Sequence, residues 1–499
     1  MLSEIDNRPF PAAPAAFNLA GHVLSGARLR PGKPALVLLH PRGEDTLSFA
    51  ELQCLAQGCA TALLGAGLVP GDRVLFRLGN GLAFPILYLG AIWAGLVPVP
   101  TSSALTGPEV SRMAYLVAPR LIVAEDGIAL PDHPAPVIAP DLAAWRALPS
   151  APLHLGDPGR EAYVIFTSGT SGSPMAVSHA HRAILARQSM QRHWEGLEES
   201  DRLLHAGALN WTCTLGTGLL DPWTVGATAL VPAAGTPATD LPALLDRAGA
   251  TILAAAPGVF RQLLRTEFPA LPRLRHGLSA GEGLLPALRK AWHDRTGTDL
   301  HEALGMTEIS TYLSGSPERP APEGMSGYVQ PGRHVAILGD DDQPVQVGEV
   351  GEIAVATADP GLMRGYIGHP PPSGRWFRTG DVAVMASDGA IAHLGRKDDL
   401  LNAGGFRVSP VEVEAAFQAC PGLLACAAVQ VEPMPGTTII ALFYEASCAI
   451  SDTLLQKCAE KALARWKQPR HYQRLDALPR TATGKLIRKG LAARYRRPE

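Results

Sequence analysis

The chain has 499 residues, of which 46% are apolar and 18% charged. That balance excludes a disordered chain and supplies core for two to four domains. A formal net charge of -2 excludes a global nucleic-acid-binding footprint, so no nucleic-acid partner is expected.

The predicted elements alternate between strand and helix. The first ten residues, MLSEIDNRPF, lack the apolar run of a secretory signal. Ala35–His40 reads as a strand. Leu47–Leu64 has helical spacing through Leu52, Leu55, Ala56, Cys59, Ala60 and Leu63, with Gly65 and Gly67 to stop it. Arg73–Phe76 reads as a second strand. No charge occurs between Arg77 and Glu109, and Phe84–Leu96 is strongly apolar. This run falls short of the ~20 residues of a membrane span. Pro85, Pro98 and Pro100 bracket it, so it reads as a buried helix followed by a short strand, VPVP, with no membrane span. Leu121–Ala124 is another strand, and 126–160, rich in Pro and Ala, reads as a meandering connection. Further on, Ile252–Ala256, Val259–Leu264, Leu274–Ser279 and Leu284–His293 continue the alternation. Strands alternating with helices predict parallel sheets covered by helices.

The seven cysteines (54, 59, 213, 420, 426, 448 and 458) form no CxxC and no zinc-spaced cluster with histidine. Reduced thiols and a cytoplasmic location are expected. From Lys397 onward there are 15 Lys/Arg against 10 Asp/Glu, whereas the rest of the chain is acidic. A basic C-terminal domain suits a polyanionic ligand.

The most informative segment is Tyr163–Val177, YVIFTSGTSGSPMAV. An apolar strand runs into seven small residues, Thr167 to Ser173, then Pro174, with a helix predicted from His179. Small residues let backbone N–H groups close around phosphate oxygens, and hydroxyls add donors. No GK[ST] closes the loop, so it is not a Walker loop.

TSGTSGSP strongly resembles the phosphate loop of the acyl-adenylate-forming superfamily, which includes acyl-CoA synthetases, peptide-synthetase adenylation domains and luciferases. Five more segments follow in that superfamily's order: Ser279–Glu282 (SAGE), Gly305–Glu308 (GMTE), Arg378–Asp381 (RTGD), Gly395–Glu414 (GRKDDLLNAGGFRVSPVEVE) and Pro479–Lys485 (PRTATGK). The resemblance runs from about Phe17 to Leu491.

The resemblance implies an α/β fold. A large multi-layer N-terminal region with two parallel-sheet subdomains and a smaller sheet (1–397) would precede a small mobile α+β C-terminal lid (398–499) carrying the catalytic lysine. It implies ATP/AMP, Mg²⁺ and coenzyme A as cofactors. Thr167, Ser168, Gly169, Thr170, Ser171 and Gly172 would cradle phosphate. Ser279, Ala280, Gly281 and Glu282 would lie against adenine, beside Gly305 and Met306. Thr307 would donate to the α-phosphate, and Glu308 would hold the metal, being a hard oxygen ligand. Asp381 and Arg396 would contact the ribose, since an ionised carboxylate accepts from vicinal hydroxyls. Arg407 would reach the α-phosphate. Lys485 would stabilise charge on the α-phosphorus in the transition state. Asp398 would be the hinge. Gly404 and Gly405 would let the pantetheine thiol approach closely.

Two positions depart from the family pattern. Met175 stands where the loop has a lysine, and Leu304 where the family segment has a tyrosine. Both losses predict weaker ATP binding without loss of the catalytic lysine, and they leave open a weakly active nucleotide-binding relative. The acyl pocket would be lined by Leu209, Asn210, Trp211, Leu215 and Gly216. A neutral Asn210 argues against an α-amino acid, whose ammonium a carboxylate would favour. Trp211, with DPWTVGATALV behind it, resembles acetyl-, medium-chain and benzoate-type CoA synthetases. The expected activity is an ATP-dependent carboxylic acid–CoA ligase. The alternative is a stand-alone ligase that loads an acyl carrier protein. The chain ends soon after Lys485, so no fused carrier domain is expected. His179, His181 and His205 are given no catalytic role, since helix surface and core packing explain them equally well.

Overall fold

A computed structural model describes the chain except residues 168–174, 268, 285, 404–405, 419, 435–436, 481–485, 489 and 497–499, and except the side chains of 402–407 and 437. Two mostly parallel sheets dominate the N-terminal region. The larger has nine strands. Its parallel centre joins Pro34–Leu39, Thr228–Pro232, Arg202–His205, Ile252–Ala255, His276–Ala280 and Asp299–Met306. Antiparallel strands, Glu44–Ser48 on one side and Ser310–Ser314 on the other, flank that centre. The second sheet has four parallel strands, built on Val97–Pro100, Arg73–Arg77 and Leu121–Ala124.

The charge-free stretch becomes the helix Ala83–Trp93, in which every residue is buried. It packs against the helix Phe49–Gly65 in one core. That neighbour starts with a capping box, in which Ser48 and Glu51 satisfy each other's backbone N–H groups. Such a cap contributes about 1 kcal/mol. Among the described residues no helix is long and apolar enough to cross a membrane.

Three sequence readings need correction. The helix expected from His179 begins at Ala183, because Met175–Ala180 is a strand antiparallel to Glu161–Thr167. The phosphate-loop segment therefore joins two strands of a hairpin. The region 126–160 is not wholly irregular: it holds the short strand Val137–Ile138 and the helix Leu142–Ala147, capped by Asp141 and anchored by the buried Trp145. The single smaller sheet is in fact two, a three-stranded sheet around that hairpin and a five-stranded antiparallel sheet.

The five-stranded sheet ends with Trp376–Met385 and Ile391–Arg396. After it, Leu423–Met434, Thr437–Ala446 and His471–Arg474 form a three-stranded sheet. The helices Pro410–Ala415 and Asp452–Ala462 cover it and share its core. This C-terminal part is α+β, as expected. The seven cysteines are all free thiols.

Candidate active site

The ends of three sheets meet at one place. The strand Asp299–Met306 delivers Thr307 and Glu308 into the turn that follows it. Gly305 is required there: a Cβ would come within 2.6 Å of the Thr311 Cα, because the ladder shifts register at Leu304/Gly305. The three-stranded sheet holds this turn from the other side. Its edge strand Gly365–Tyr366 pairs with Met175–Ala180, and the Tyr366 hydroxyl donates to Glu308 Oε1 at 2.8 Å. The Met363 N–H donates to the Glu308 carbonyl at 2.7 Å. His179, on the second strand of the hairpin, reaches the Thr307 carbonyl with Nε2 at 2.8 Å. Thr167 and Met175 are paired across the hairpin, at the mouth of the loop.

Glu308 is buried, with a relative exposure of 7%. Its Oε2 has no hydrogen-bond partner among the described residues. No cluster of three or more potential metal ligands occurs among the described residues. A lone carboxylate fits Mg²⁺, which is usually bound through one or two carboxylates plus the substrate's phosphates.

Asp381 lies in the strand Trp376–Met385, paired in register with Arg396 on the next. It is buried. Tyr312 Oη, His393 Nε2 and Arg396 Nη1 stand 3.3–3.4 Å from its oxygens. Arg396 is fixed by donating to the Thr379 carbonyl at 2.9 Å. The expected pair of ribose contacts is thus one unit.

The strand His276–Ala280 ends in the SAGE turn. Gly281 has φ +99°, and a Cβ there would lie 3.2 Å from the Trp211 ring. Glu282 accepts from the backbone N–H of Leu486 at 2.7 Å, and Arg261 stands 3.4 Å away. The C-terminal part is therefore docked on the SAGE turn by the residue that follows Lys485. Arg480 and Leu486 bridge each other on either side of 481–485.

The family model for AMP-binding enzymes matches residues 25–367, and that for their C-terminal domain matches 412–485. The chain belongs to the AMP-binding enzyme family. It is 29% identical to the benzoate–CoA ligase of Thauera aromatica, over 98% of each chain. It is 28% identical to the mitochondrial acyl-coenzyme A synthetase ACSM2B of Homo sapiens, over 95% of this chain and 90% of that one. A solved benzoate CoA ligase from Burkholderia xenovorans LB400 superposes with a TM-score of 0.87 at 26% identity, covering 95% of this chain and all of that one. ATP/AMP and coenzyme A are the ligands that membership implies.

Several expected site residues lie outside the described residues: Ser168, Gly169, Thr170, Ser171, Gly172, Gly404, Gly405 and Lys485, together with the side chain of Arg407. Asp398 falls in a single 3₁₀ turn, Lys397–Asp399, directly after the five-stranded sheet. In the expected acyl pocket, Trp211 is half-buried and stands edge-on to His205, with ring centroids 5.7 Å apart. Asn210 is half-buried beside it. Leu215 and Gly216 line a small cavity together with Thr212. Leu209 does not line that cavity: it packs in the core of the N-terminal region, its N–H held by Asn80 Oδ1 at 2.9 Å.

Sequence reasoning missed Tyr366, Tyr312 and His393, which hold Glu308 and Asp381. It also missed the buried pair of Arg187 and Asp221. Burial opposes the charge on Arg187, but Asp221 more than offsets it and holds the guanidinium protonated. Asp221 is the acid of the DPW segment, and its commitment to Arg187 removes it as a partner for a substrate ammonium. His179 is fully buried and stacked on Tyr163 at 4.8 Å. Burial lowers its pKa to about 4, which keeps the ring neutral. Of the two readings for His179, core packing applies rather than helix surface, and the ring also holds the Thr307 carbonyl.

Proposed function

We propose that the chain is an ATP-dependent carboxylic acid–CoA ligase that forms an acyl-adenylate and then an acyl-CoA thioester, releasing pyrophosphate and AMP. Family membership and relatives that are CoA ligases along nearly the whole chain support this reading. The observation that carries it is the physical linkage of the nucleotide motifs. Glu308 and Thr307 are tied to the loop hairpin through Tyr366 and His179, and the segment after Lys485 is anchored on Glu282. An acyl-carrier-protein acceptor gains no support from these relatives.

In this mechanism the acid's carboxylate attacks the α-phosphorus in line, with pyrophosphate leaving. The loop 167–172 binds the phosphates through backbone N–H groups and hydroxyls. Thr307, its carbonyl fixed by His179, donates its hydroxyl to the α-phosphate. Asp381 and Arg396 orient the ribose, and the SAGE turn with Gly305 and Met306 bounds the adenine. Glu308 would hold Mg²⁺ together with the phosphates, and the ion would supply neutralisation of their charge. Arg407 and Lys485 would act at the α-phosphate, and the Lys485 ammonium would stabilise the transition state more than the ground state. We take 1–397 and 398–499 as the two moving parts. Turning about Asp398 then withdraws Lys485 and brings Gly404 and Gly405 to the thiol. The excess of basic residues after Lys397 suits the phosphates of coenzyme A. Trp211 over Gly281 limits the acid to medium-chain, alicyclic or aromatic classes. The free cysteines fit a cytoplasmic setting.

The test is Lys485→Ala. Adenylation, followed by pyrophosphate release, should fall about 10²–10³-fold. Thioester formation from supplied acyl-adenylate should stay nearly intact. Equal loss of both halves would overturn the assignment.

A further inference from the structure

Behind the Thr307–Glu308 turn lies a cavity of about 20 Å³ for water-sized molecules, bounded among others by Tyr88, His179, Arg187, Thr212 and Ser310. That space admits one hydroxyl or one water, and no ring. Its wall shares Leu215 and Gly216 with the expected acyl pocket, Thr212 follows Trp211 in sequence, Ser310 lies two residues beyond Glu308, and His179 holds the Thr307 carbonyl. Gly216, beside Thr212, keeps it open, since a Cβ there would run into the Arg187 guanidinium.

The wall of this cavity is mostly apolar, with Ile165, Ala183, Leu215 and Leu220 set beside a few unsatisfied polar atoms. Tyr88 and His179 are 1% and 2% exposed, yet among the described residues the Tyr88 hydroxyl and His179 Nδ1 have no hydrogen-bond partner, and neither does Thr212 Oγ1. Buried polar atoms are normally paired, so a cluster of three orphans around one space calls for an occupant. Its chemistry follows from the histidine. The Thr307 carbonyl only accepts, so Nε2 carries the ring's proton, and Nδ1 of the neutral ring is left as an acceptor. The Tyr88 and Thr212 hydroxyls can each donate. Arg187 Nη1 adds a donor edge, one of its bonds going to Ser310 Oγ at 2.6 Å. The occupant must therefore offer a hydrogen to His179 and a lone pair to the hydroxyls.

We propose that this cavity seats a hydrogen-donating substituent of the acid, a hydroxyl foremost or a primary amine, placed away from the carboxylate, so that the enzyme selects hydroxylated acids over their unsubstituted counterparts. This inference rests on the ligase reading. A methyl group or halogen in the same place would leave the three polar atoms unpaired, and a methoxy group could not donate to Nδ1.

The experiment measures kcat/KM for acyl-CoA formation with matched acids bearing hydroxyl, amino, methoxy or no substituent. The scaffolds are benzoate, cyclohexanecarboxylate and hexanoate. Wild type is compared with Tyr88→Phe and Thr212→Val. On at least one scaffold the hydroxylated acid should exceed its unsubstituted and methoxy partners by about 100-fold or more. That ratio should fall by about tenfold in at least one variant. A merely structural role for Tyr88 or Thr212 would lower both activities and leave the ratio unmoved. Unsubstituted acids turned over as well as hydroxylated ones on every scaffold would mean that the cavity holds only water, and would overturn this inference while leaving the ligase reading intact. An unchanged ratio in both variants would overturn it as well. No acyl-CoA from any acid would overturn the ligase reading, and this inference with it.

Discussion

Tyr366→Phe tests whether Glu308 is held in place for metal-assisted adenylation. The substitution removes one oxygen and leaves the ring. What it deletes is the 2.8 Å hydrogen bond to Glu308 Oε1. Glu308 is only 7% exposed, so water is poorly placed to replace the lost donor. A hydrogen bond to a charged group contributes about 1.5–3 kcal/mol. The backbone around Glu308 stays fixed by Met363, so the loss falls on the orientation of the carboxylate rather than on the fold. If all of it appears in the adenylation transition state, kcat/KM for MgATP falls about 10–150-fold. The assay is pyrophosphate release without coenzyme A across a Mg²⁺ titration, paired with thioester formation from synthetic acyl-adenylate. The expected result is slower adenylation that needs more Mg²⁺, with thioester formation unchanged. An unaltered Mg²⁺ dependence, or equal damage to both half-reactions, would refute the role given to Glu308.

Two further outcomes follow from particular side chains. Met175→Lys restores a cation at the mouth of the phosphate loop, opposite Thr167. Met175 is partly exposed, so solvent limits the gain to about 1 kcal/mol, and the KM for ATP should fall about fivefold; an unchanged KM would mean that the loop charge is not limiting. The protein should also be acid-labile. Burial lowers the pKa of His179 and His301 to about 4 and of His181 and His205 to about 3, from 6.5. Between about pH 4 and 6.5 the unfolded chain then binds more protons than the folded one, so stability is full above pH 6.5 and declines as pH falls through that window. At pH 5.5 each such histidine costs about 1.4 kcal/mol, and the four together about 5–6 kcal/mol, a large share of a typical folding free energy. Denaturant melts at pH 7.5 and 5.5 measure this; equal midpoints would show that these rings are not buried as neutral groups.

How much of this was legible in the sequence depends on how local each signal is. The alternating strands and helices, and the all-buried helix Ala83–Trp93, follow from runs of neighbouring residues and needed no tertiary information. Thr307, Glu308 and Asp381 were singled out because each sits in a short contiguous motif. Their supports could not be found that way. Tyr366 lies 58 residues from Glu308, and His179 lies 128 from Thr307. Such pairs are created by sheet pairing and leave no pattern in the chain. The second strand of the hairpin was misread because Met175–Ala180 is short and interrupted by Ser178 and His179, and its partner strand supplies the stability. Leu209 was named for its closeness to Trp211, and the turn between them seats it in the core of the N-terminal region.

The measurement that tests the central claim most directly is mass spectrometry of the products formed with MgATP, coenzyme A and a pooled panel of carboxylic acids, beside a matched reaction lacking coenzyme A. The account predicts an acyl-CoA that appears only when coenzyme A is present, with AMP and pyrophosphate formed alongside it. Acyl-adenylate accumulating equally in both reactions, with no thioester, would contradict the CoA ligase reading.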